Sequence, residues 1–382
     1  MASPMNMSLT TRRELVSRTK KRYIQSDRAE KQKILDELCF NTGMVRNYLI
    51  QLLSVRKDLS RQGGINRKRH ETYGADVIAK LVTIWEWFDY PCGERLHPMM
   101  AEYIRVLEYW KEMSFPVNIK EKLLKISSAT IDRRLKRTKQ ILKRKLFSTT
   151  KPGSLLKKEI PIKTSSWDEK RIGFGELDTV AHGGDSVSGE FVWSLTYTDI
   201  ASQWTESAAV FGKTEKRIRE GLESIEAQLP FPLLGIDPDN GSEFINWQLY
   251  HYCLAKNIEF TRGRPYMKND NAHIEQKNFT HVRKLAGYKR LDTEEKRALL
   301  HDLYRNEWRL YKNFFIPNKK LIEKKRVGTK IVKRYDVPKT PYQRLLENPD
   351  FPEAKKRALK LWYDSLNPVA LKRAIERKLR LL

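Results

Sequence analysis

Cysteine is scarce in this 382-residue chain: Cys39, Cys92 and Cys253 lie far apart, and no two form a CxxC pair. That spacing excludes a disulfide framework and a zinc knuckle, and it fits a reducing cytosol. His251 and Cys253 stand two positions apart, but two ligands do not make a zinc site, and the pair reads as buried core. No apolar run is long enough to span a membrane, and the first residues lack the apolar centre of a signal peptide. Internal repeats and low-complexity tracts are absent too. Acids are outnumbered, 47 Asp+Glu against 74 Lys+Arg, for a formal charge of +27. What is present, 40% hydrophobic residues and nine Trp, excludes a wholly disordered chain. The length suffices for two or three domains, each with its own core.

The positive charge is unevenly spread. Residues 1–170 are net +17, residues 301–382 net +13, and residues 171–300 net −3. Two basic flanks suit a polyanion, because each neutralised phosphate releases counterions. A locally acidic centre suits cation binding. A merely soluble basic protein would explain the sign of the charge but not this partition.

The first flank reads as helical. Residues 9–24 are basic and amphipathic, and Asp27-Arg-Ala-Glu30 has the form of a capping box opening a helix whose apolar side is Ile34, Leu35 and Leu38. Asn41-Thr42-Gly43 breaks that helix, and Val45, Tyr48, Leu49 and Leu52 restart a helical period. Two short helices around a Gly-containing turn outline a helix-turn-helix. Arg46, Asn47 and Gln51 then face outward on the second helix, where base edges can be read. A polar stretch over 61–69 looks like a linker. Beyond it Ile78, Leu81, Val82, Trp85 and Phe88 mark one core-facing helix, and Ile104 and Leu107 another. A second hairpin spans 118–142, with Ser127 or Ser128 as cap and Ile131, Leu135, Thr138 and Leu142 as inner stripe. Thr130, Arg133, Arg134 and Arg137 share the opposite face, a grouping suited to phosphate and guanine contacts or simply to solvent.

Residues 150–166 are extended, Pro/Gly-punctuated and read as a tether. The period then changes to that of a sheet: residues 191–198 alternate as a strand does, preceded by a run around Leu177 and followed by one over 208–211. Ile218, Leu222, Ile225 and Leu229 mark an amphipathic helix. A buried strand at 233–236, a helix at 245–256, a strand at 258–261 and a helix at 271–287 follow. The order predicts a mixed sheet with helices on its faces. Further on come a helix over 293–312, a basic stretch over 324–335 that alternates like a small hairpin, a helix start at Thr340-Pro341, and two basic helical segments.

The chemistry-bearing residues sit in the centre. Leu177-Asp178-Thr179 puts an acid in the first strand, GIDPDNGSEF puts Asp237 or Asp239 after the fourth, and Glu275 lies on the helix after the fifth. Magnesium takes hard oxygen ligands, and a two-metal site needs several carboxylates converging from separate elements. Helical spacing places Asn271, Glu275 and Asn278 on one face. Glu243 reads as a loop support, and His182 as either a DNA contact or a surface residue.

These residues resemble the DDE transposases and retroviral integrases, especially the integrase-core transposases of bacterial insertion sequences. The matching positions are Asp178 in ELDTV, Asp239 in DNGSEF and Glu275 in NAHIEQKN, with 35 residues between Asp239 and Glu275, the family's own interval. The match is strong over 171–290 and weaker over the N-terminal hairpins and YDVPKTPYQRLL. It implies a ribonuclease-H-like core in which Asp178, Asp239 and Glu275 are the catalytic residues and hold two Mg²⁺ ions, with Mn²⁺ able to substitute. It also implies DNA cleavage and strand transfer on double-stranded DNA, both element ends and target. A homo-oligomer in the DNA complex and a bacterial cytoplasmic protein at the nucleoid, with no membrane partner, go with that reading. Lys268, Lys277, Arg283 and Lys284 are candidate backbone contacts near the site. Pro238 donates no ladder hydrogen bond, so the chain is expected to leave the sheet near Asp237 and carry Asp239 on the loop beyond.

The expected fold class is multidomain. Residues 1–62 form a helix-turn-helix domain, 70–147 a second helical helix-turn-helix domain, and 148–170 a linker. Residues 171–312 form an α/β ribonuclease-H-like catalytic domain, and 313–382 a small basic β/helical DNA-binding region. A non-catalytic DNA-binding regulator would not need three spaced acids, and a ribonuclease-H-like nuclease would not obviously need two DNA-reading modules.

Overall fold

The structure is a computed structural model that describes residues 7–54, 72–141, 169–186, 188–238, 241, 243–261, 277–327 and 330–382. The chain divides into two compact units, Met1–Glu71 and Thr72–Leu382. The expected linkers at 61–69 and 150–166 lie outside the described residues.

In the first unit, α1 (Leu9–Gln25), α2 (Arg28–Thr42) and α3 (Arg46–Ser54) close on Val16, Ile34, Leu35, Leu38, Leu49 and Leu53. Asp27 caps α2 by accepting from the Glu30 N–H, the half of a capping box that satisfies an orphan helix donor. Gly43 ends α2 in the left-handed region at φ 66°, where a Cβ would be costly. The inner stripe of α3 is Leu49 and Leu53, whereas Val45 and Tyr48, expected on that side, are exposed.

The second unit starts with α4 (Ala75–Trp87), α5 (Gly93–Tyr109), α6 (Val117–Lys125) and α7 (Ser128–Ile141). Gly93 lets α5 meet α7: a Cβ there would stand 2.1 Å from the Ser128 carbonyl oxygen. Its N–H donates to Asp132 Oδ1 at 3.0 Å. These helices were expected as a separate domain, but their apolar residues share one hydrophobic core with the sheet and the C-terminal helices. The Tyr103 hydroxyl donates to the Phe315 carbonyl at 2.8 Å, and the Tyr311 hydroxyl donates to the Trp87 carbonyl at 2.7 Å. Lys312 pairs with Asp89 at 2.8 Å. Contacts across more than 200 residues of sequence leave no local mark in the pattern of either segment.

The sheet has the order β3-β2-β1-β4-β5. β1 (Phe174–Ala181), β2 (Val192–Asp199) and β3 (Thr205–Phe211) are antiparallel neighbours; β4 (Gly235–Pro238) and β5 (Glu259–Phe260) run parallel to β1. This is the mixed α/β sheet expected. α8 (Glu215–Glu226) packs Ile218, Leu222 and Ile225 inward, and α9 (Trp247–Ala255) packs Leu249 and Cys253. His251 is exposed and stacks on Trp247, so only the cysteine of that pair is core.

The segment Asn278–Arg283 is π-helical, and the helix running from Glu294 to Phe315 is π-helical over Tyr304–Trp308. Such single-turn irregularities tend to mark functional sites. The expected basic hairpin is β6 (Leu321–Val327) paired antiparallel with β7 (Lys330–Tyr335), separate from the main sheet. Thr340 and Gln343 form a full capping box on Pro341–Glu347. Helices Glu353–Ser365 and Pro368–Leu379 follow.

Candidate active site

The sheet explains why Asp178 is accessible. β1 is buried from Phe174 to Leu177 and half-exposed at Asp178 and Thr179. Its ladder with β4 stops at Leu177 opposite Pro238, while its ladder with β2 continues past Asp178 opposite Thr196. Asp178 directly follows the last described ladder pair between β1 and β4. β4 itself runs through Pro238, one residue further than the proline was expected to allow, because the missing N–H falls at the strand's end.

Among the described residues, the Thr179 N–H and the Asn278 amide orient the Asp178 carboxylate. The Thr179 N–H donates to Oδ1 at 2.7 Å, and the Asn278 amide donates to Oδ2 at 2.6 Å. The Oδ1 of Asn278 is buried and has no hydrogen-bond partner among the described residues. A buried amide oxygen left without a donor is costly, and a water or a hydrated cation beside Asp178 would satisfy it. This amide was one of the two asparagines expected to line the site; Asn271 lies outside the described residues.

Around this pair the loop after β4 is braced. The Thr179 hydroxyl donates to Glu243 Oε1 at 3.3 Å, and Lys213 stands 3.6 Å from the other oxygen. Glu243 thus supports the loop, as expected. Asn246 ties this turn to α9: its amide donates to the Glu243 carbonyl at 2.7 Å, and its oxygen accepts from the Leu249 N–H at 2.9 Å. Thr179 and Lys213 were missed in the sequence; Thr179 follows Asp178 directly, but Lys213 carries no motif that would single it out.

Asp237 is only 2% exposed and accepts from the Thr261 hydroxyl at 2.9 Å. It is an interior residue of β4, partnered across the ladder with the buried Glu176. Asp239, Glu275 and Lys268 lie outside the described residues, and among the described residues no group of three His, Cys, Asp or Glu side chains could hold a metal ion.

Two expected contacts are corrected. His182 is neither a DNA contact nor a surface residue: it is fully buried, and its Nε2 lies 2.7 Å from Ser194 Oγ, which in turn lies 2.8 Å from the Tyr304 hydroxyl. Burial, with Arg283 nearby, pushes the His182 imidazole down to about 3. Lys277 is 3% exposed, and its ammonium is directed at the Gln203 carbonyl, 3.4 Å away, so it does not face a phosphate. Burial, reinforced by Lys312, drives its affinity for a proton well below the usual lysine range. Arg283 lies over the Tyr288 ring at 4.8 Å, and Lys284 is exposed.

The candidate DNA-reading faces divide similarly. On α3, Asn47 and Gln51 are exposed, while Arg46 is ion-paired with Asp36. On α7, Arg133 is exposed and donates to the Thr130 hydroxyl at 3.0 Å, and Arg134 is half-buried. The side chain of Arg137 lies outside the described ones. No helix among the described residues is long and apolar enough to cross a membrane.

No family model matches the chain. It is similar to the uncharacterized protein y4rM of Sinorhizobium fredii (strain NBRC 101917 / NGR234), with 38% identity over 339 residues, covering 88% of this chain and 96% of that protein. Among solved structures it is similar to the catalytic core domain of BIV integrase, with 16% identity, 45% of this chain and 91% of that chain covered, and a TM-score of 0.29. It is also similar to the HTLV-2 integrase catalytic core domain in complex with magnesium, with 14% identity, 38% and 90% covered, and a TM-score of 0.28.

Proposed function

The chain belongs to the same family as protein y4rM of Sinorhizobium fredii, and we propose that it is a transposase: a divalent-metal-dependent polynucleotidyl transferase that cuts DNA at the ends of an insertion sequence and joins them to a target. One arrangement carries the reading. Leu177 stands opposite Pro238 in parallel register, and in sequence Asp178 and Asp239 each follow by one peptide bond. Glu275 comes three residues before Asn278, whose amide touches Asp178. The three acids are thus tied by the chain to neighbours that already meet.

Asp178, Asp239 and Glu275 would hold the metal, and their carboxylates are the hard oxygen donors that magnesium prefers. A divalent ion held by these carboxylates would supply neutralisation of the charge that builds on the phosphate. The chain's own part is orientation: Asn278 and Thr179 fix both oxygens of Asp178, while Glu243 and Asn246 hold the turn that follows Asp239. The basic faces of α3, α7 and the C-terminal region would bind the phosphate backbone.

The test is nicking of supercoiled plasmid by the purified full chain with Mg²⁺ or Mn²⁺, beside the Asp178→Asn variant. Metal-dependent nicking that the variant loses while still binding DNA is the expected result. Cleavage by Asp178→Asn at the parent rate would end the reading, and DNA binding without any cleavage would favour a regulator.

A further inference from the structure

On β7 the described side chains are exposed on both faces. Val332, Lys333, Arg334 and Tyr335 are consecutive and all exposed, and successive residues of a strand point to opposite sides. On β6, Ile322 is 59% exposed. The ribbon does not join the main sheet, and a lone two-stranded ribbon in water is marginal at best.

The root, by contrast, is firmly tied. The Lys320 N–H donates to Asp336 Oδ1 at 2.7 Å, and the Asp336 N–H donates back to the Lys320 carbonyl at 3.0 Å. Asn318 and Lys339 exchange backbone hydrogen bonds, and Arg344 is ion-paired with Asp336 while donating to the Asn318 carbonyl. A fixed root under bare limbs describes an arm awaiting a partner.

The charge identifies the partner's chemistry. Lys324, Lys325, Arg326, Lys330, Lys333 and Arg334 face a single acid, Glu323, over residues 321–335. Lys333 and Arg334 have no ion-pair partner among the described residues, and, being adjacent, they stand on opposite faces. Cations on both faces suit a slot with an anionic wall on either side; a flat anionic membrane would be met by one face only. The major groove of B-form DNA is such a slot and admits a two-stranded ribbon. A seven-residue strand reaches about 23 Å, roughly two-thirds of a duplex turn.

We propose that the β6–β7 ribbon is a groove-inserted arm that grips double-stranded DNA, with Lys333 and Arg334 on the two phosphate walls. The proposal rests on the reading of the chain as one that acts on DNA.

Binding is measured by fluorescence anisotropy with the full chain, a labelled 30-bp duplex of arbitrary sequence and EDTA, across a salt series. Lys333→Glu/Arg334→Glu is compared with Lys289→Glu/Arg305→Glu, which makes the same charge change on exposed positions outside the basic C-terminal region. Lys333→Gln/Arg334→Gln serves as the milder ribbon variant should the reversal disturb folding. Both ribbon variants are expected to weaken binding at least about tenfold near 100 mM salt and to lower the salt slope by about 2, with the control far less affected. Ribbon variants that bind as the parent does, or a control that loses as much, overturn the arm. So does ribbon-dependent binding to phosphatidylserine vesicles with duplex binding unchanged. Those outcomes leave metal-dependent nicking intact, whereas a parent chain that binds through the ribbon but never nicks defeats the reaction and keeps the arm.

Discussion

Asn278 and Asp178, one hundred residues apart in sequence, meet through an amide-to-carboxylate hydrogen bond of 2.6 Å. The bond fixes which way a half-exposed carboxylate points, and the other end of the same amide, Oδ1, is buried without a donor among the described residues. Asn278 is therefore a positioning residue for Asp178. Asn278→Ala is expected to lower metal-dependent cleavage about 10- to 100-fold, as loss of groups that orient metal ligands does. The half-saturating Mg²⁺ concentration should rise with it, while duplex affinity in EDTA stays unchanged. Unaltered metal dependence would remove Asn278 from the site.

Arg133 and Arg134 lie on the outer side of α7, whose inner side packs into the core shared with the sheet. Their DNA contacts must be tested in the full chain, because a fragment ending near 147 would strip Tyr103 and Trp87 of their partners Phe315 and Tyr311. Arg133→Ala/Arg134→Ala is expected to weaken duplex binding at all sequences and to lower the salt slope by up to about 2. Asn47→Ala/Gln51→Ala on α3 should instead reduce preference for the element's ends. Equal loss on every sequence for the α3 variant would make it a phosphate contact rather than a reader of bases.

His182 stays neutral in the fold, its imidazole lowered to about 3 by burial, against an ordinary value near 6.5 in the unfolded chain. A depressed folded value means that the unfolded state takes up the proton first. The stability is therefore present above about pH 6.5 and lost progressively as pH falls toward 3. At pH 5 the loss from this group is on the order of 2 kcal/mol. His182→Gln, which can keep the bond to Ser194, is expected to flatten the fall in Tm between pH 7 and pH 5. A pH profile of Tm identical to the parent's would show that the group titrates normally.

The elements with local signals were legible in the sequence. Asp27 and Thr340 capped the helices they were expected to open, Gly43 ended one, and the alternation over 324–335 became β6 and β7. The strands of the sheet came from an alternating run and short apolar runs, and Asp178 lies in the first strand as expected. What escaped was set by distant contacts. Lys277 and His182 carry polar side chains whose burial is decided by Gln203 and Ser194 on other elements. The buried pair of Arg309 and Glu206, 2.8 Å apart, likewise spans two elements. The π-helical turn at Asn278–Arg283 depends on backbone hydrogen bonding that no residue pattern announces.

Two aspartates flank Pro238, and their fates should differ. Asp237 is an interior residue of β4, 2% exposed, accepting the Thr261 hydroxyl and lying level with buried Glu176. Its carboxylate is committed inside the sheet, so Asp237→Asn is expected to cost stability, about 1 to 3 kcal/mol for a disturbed buried hydrogen bond, while the folded fraction keeps cleaving. Asp239 comes one peptide bond after Pro238, as Asp178 comes one after Leu177. Asp239→Asn replaces a charged oxygen donor by a neutral one of nearly equal volume, so it is expected to abolish metal-dependent cleavage at unchanged Tm. Glu275→Gln should behave as Asp239→Asn does. Thermal melts and plasmid nicking, run on the three variants side by side, separate the roles. A stable but inactive Asp237→Asn beside an active Asp239→Asn would mean that the metal ligand is the aspartate before the proline, and that β4 opens to release it.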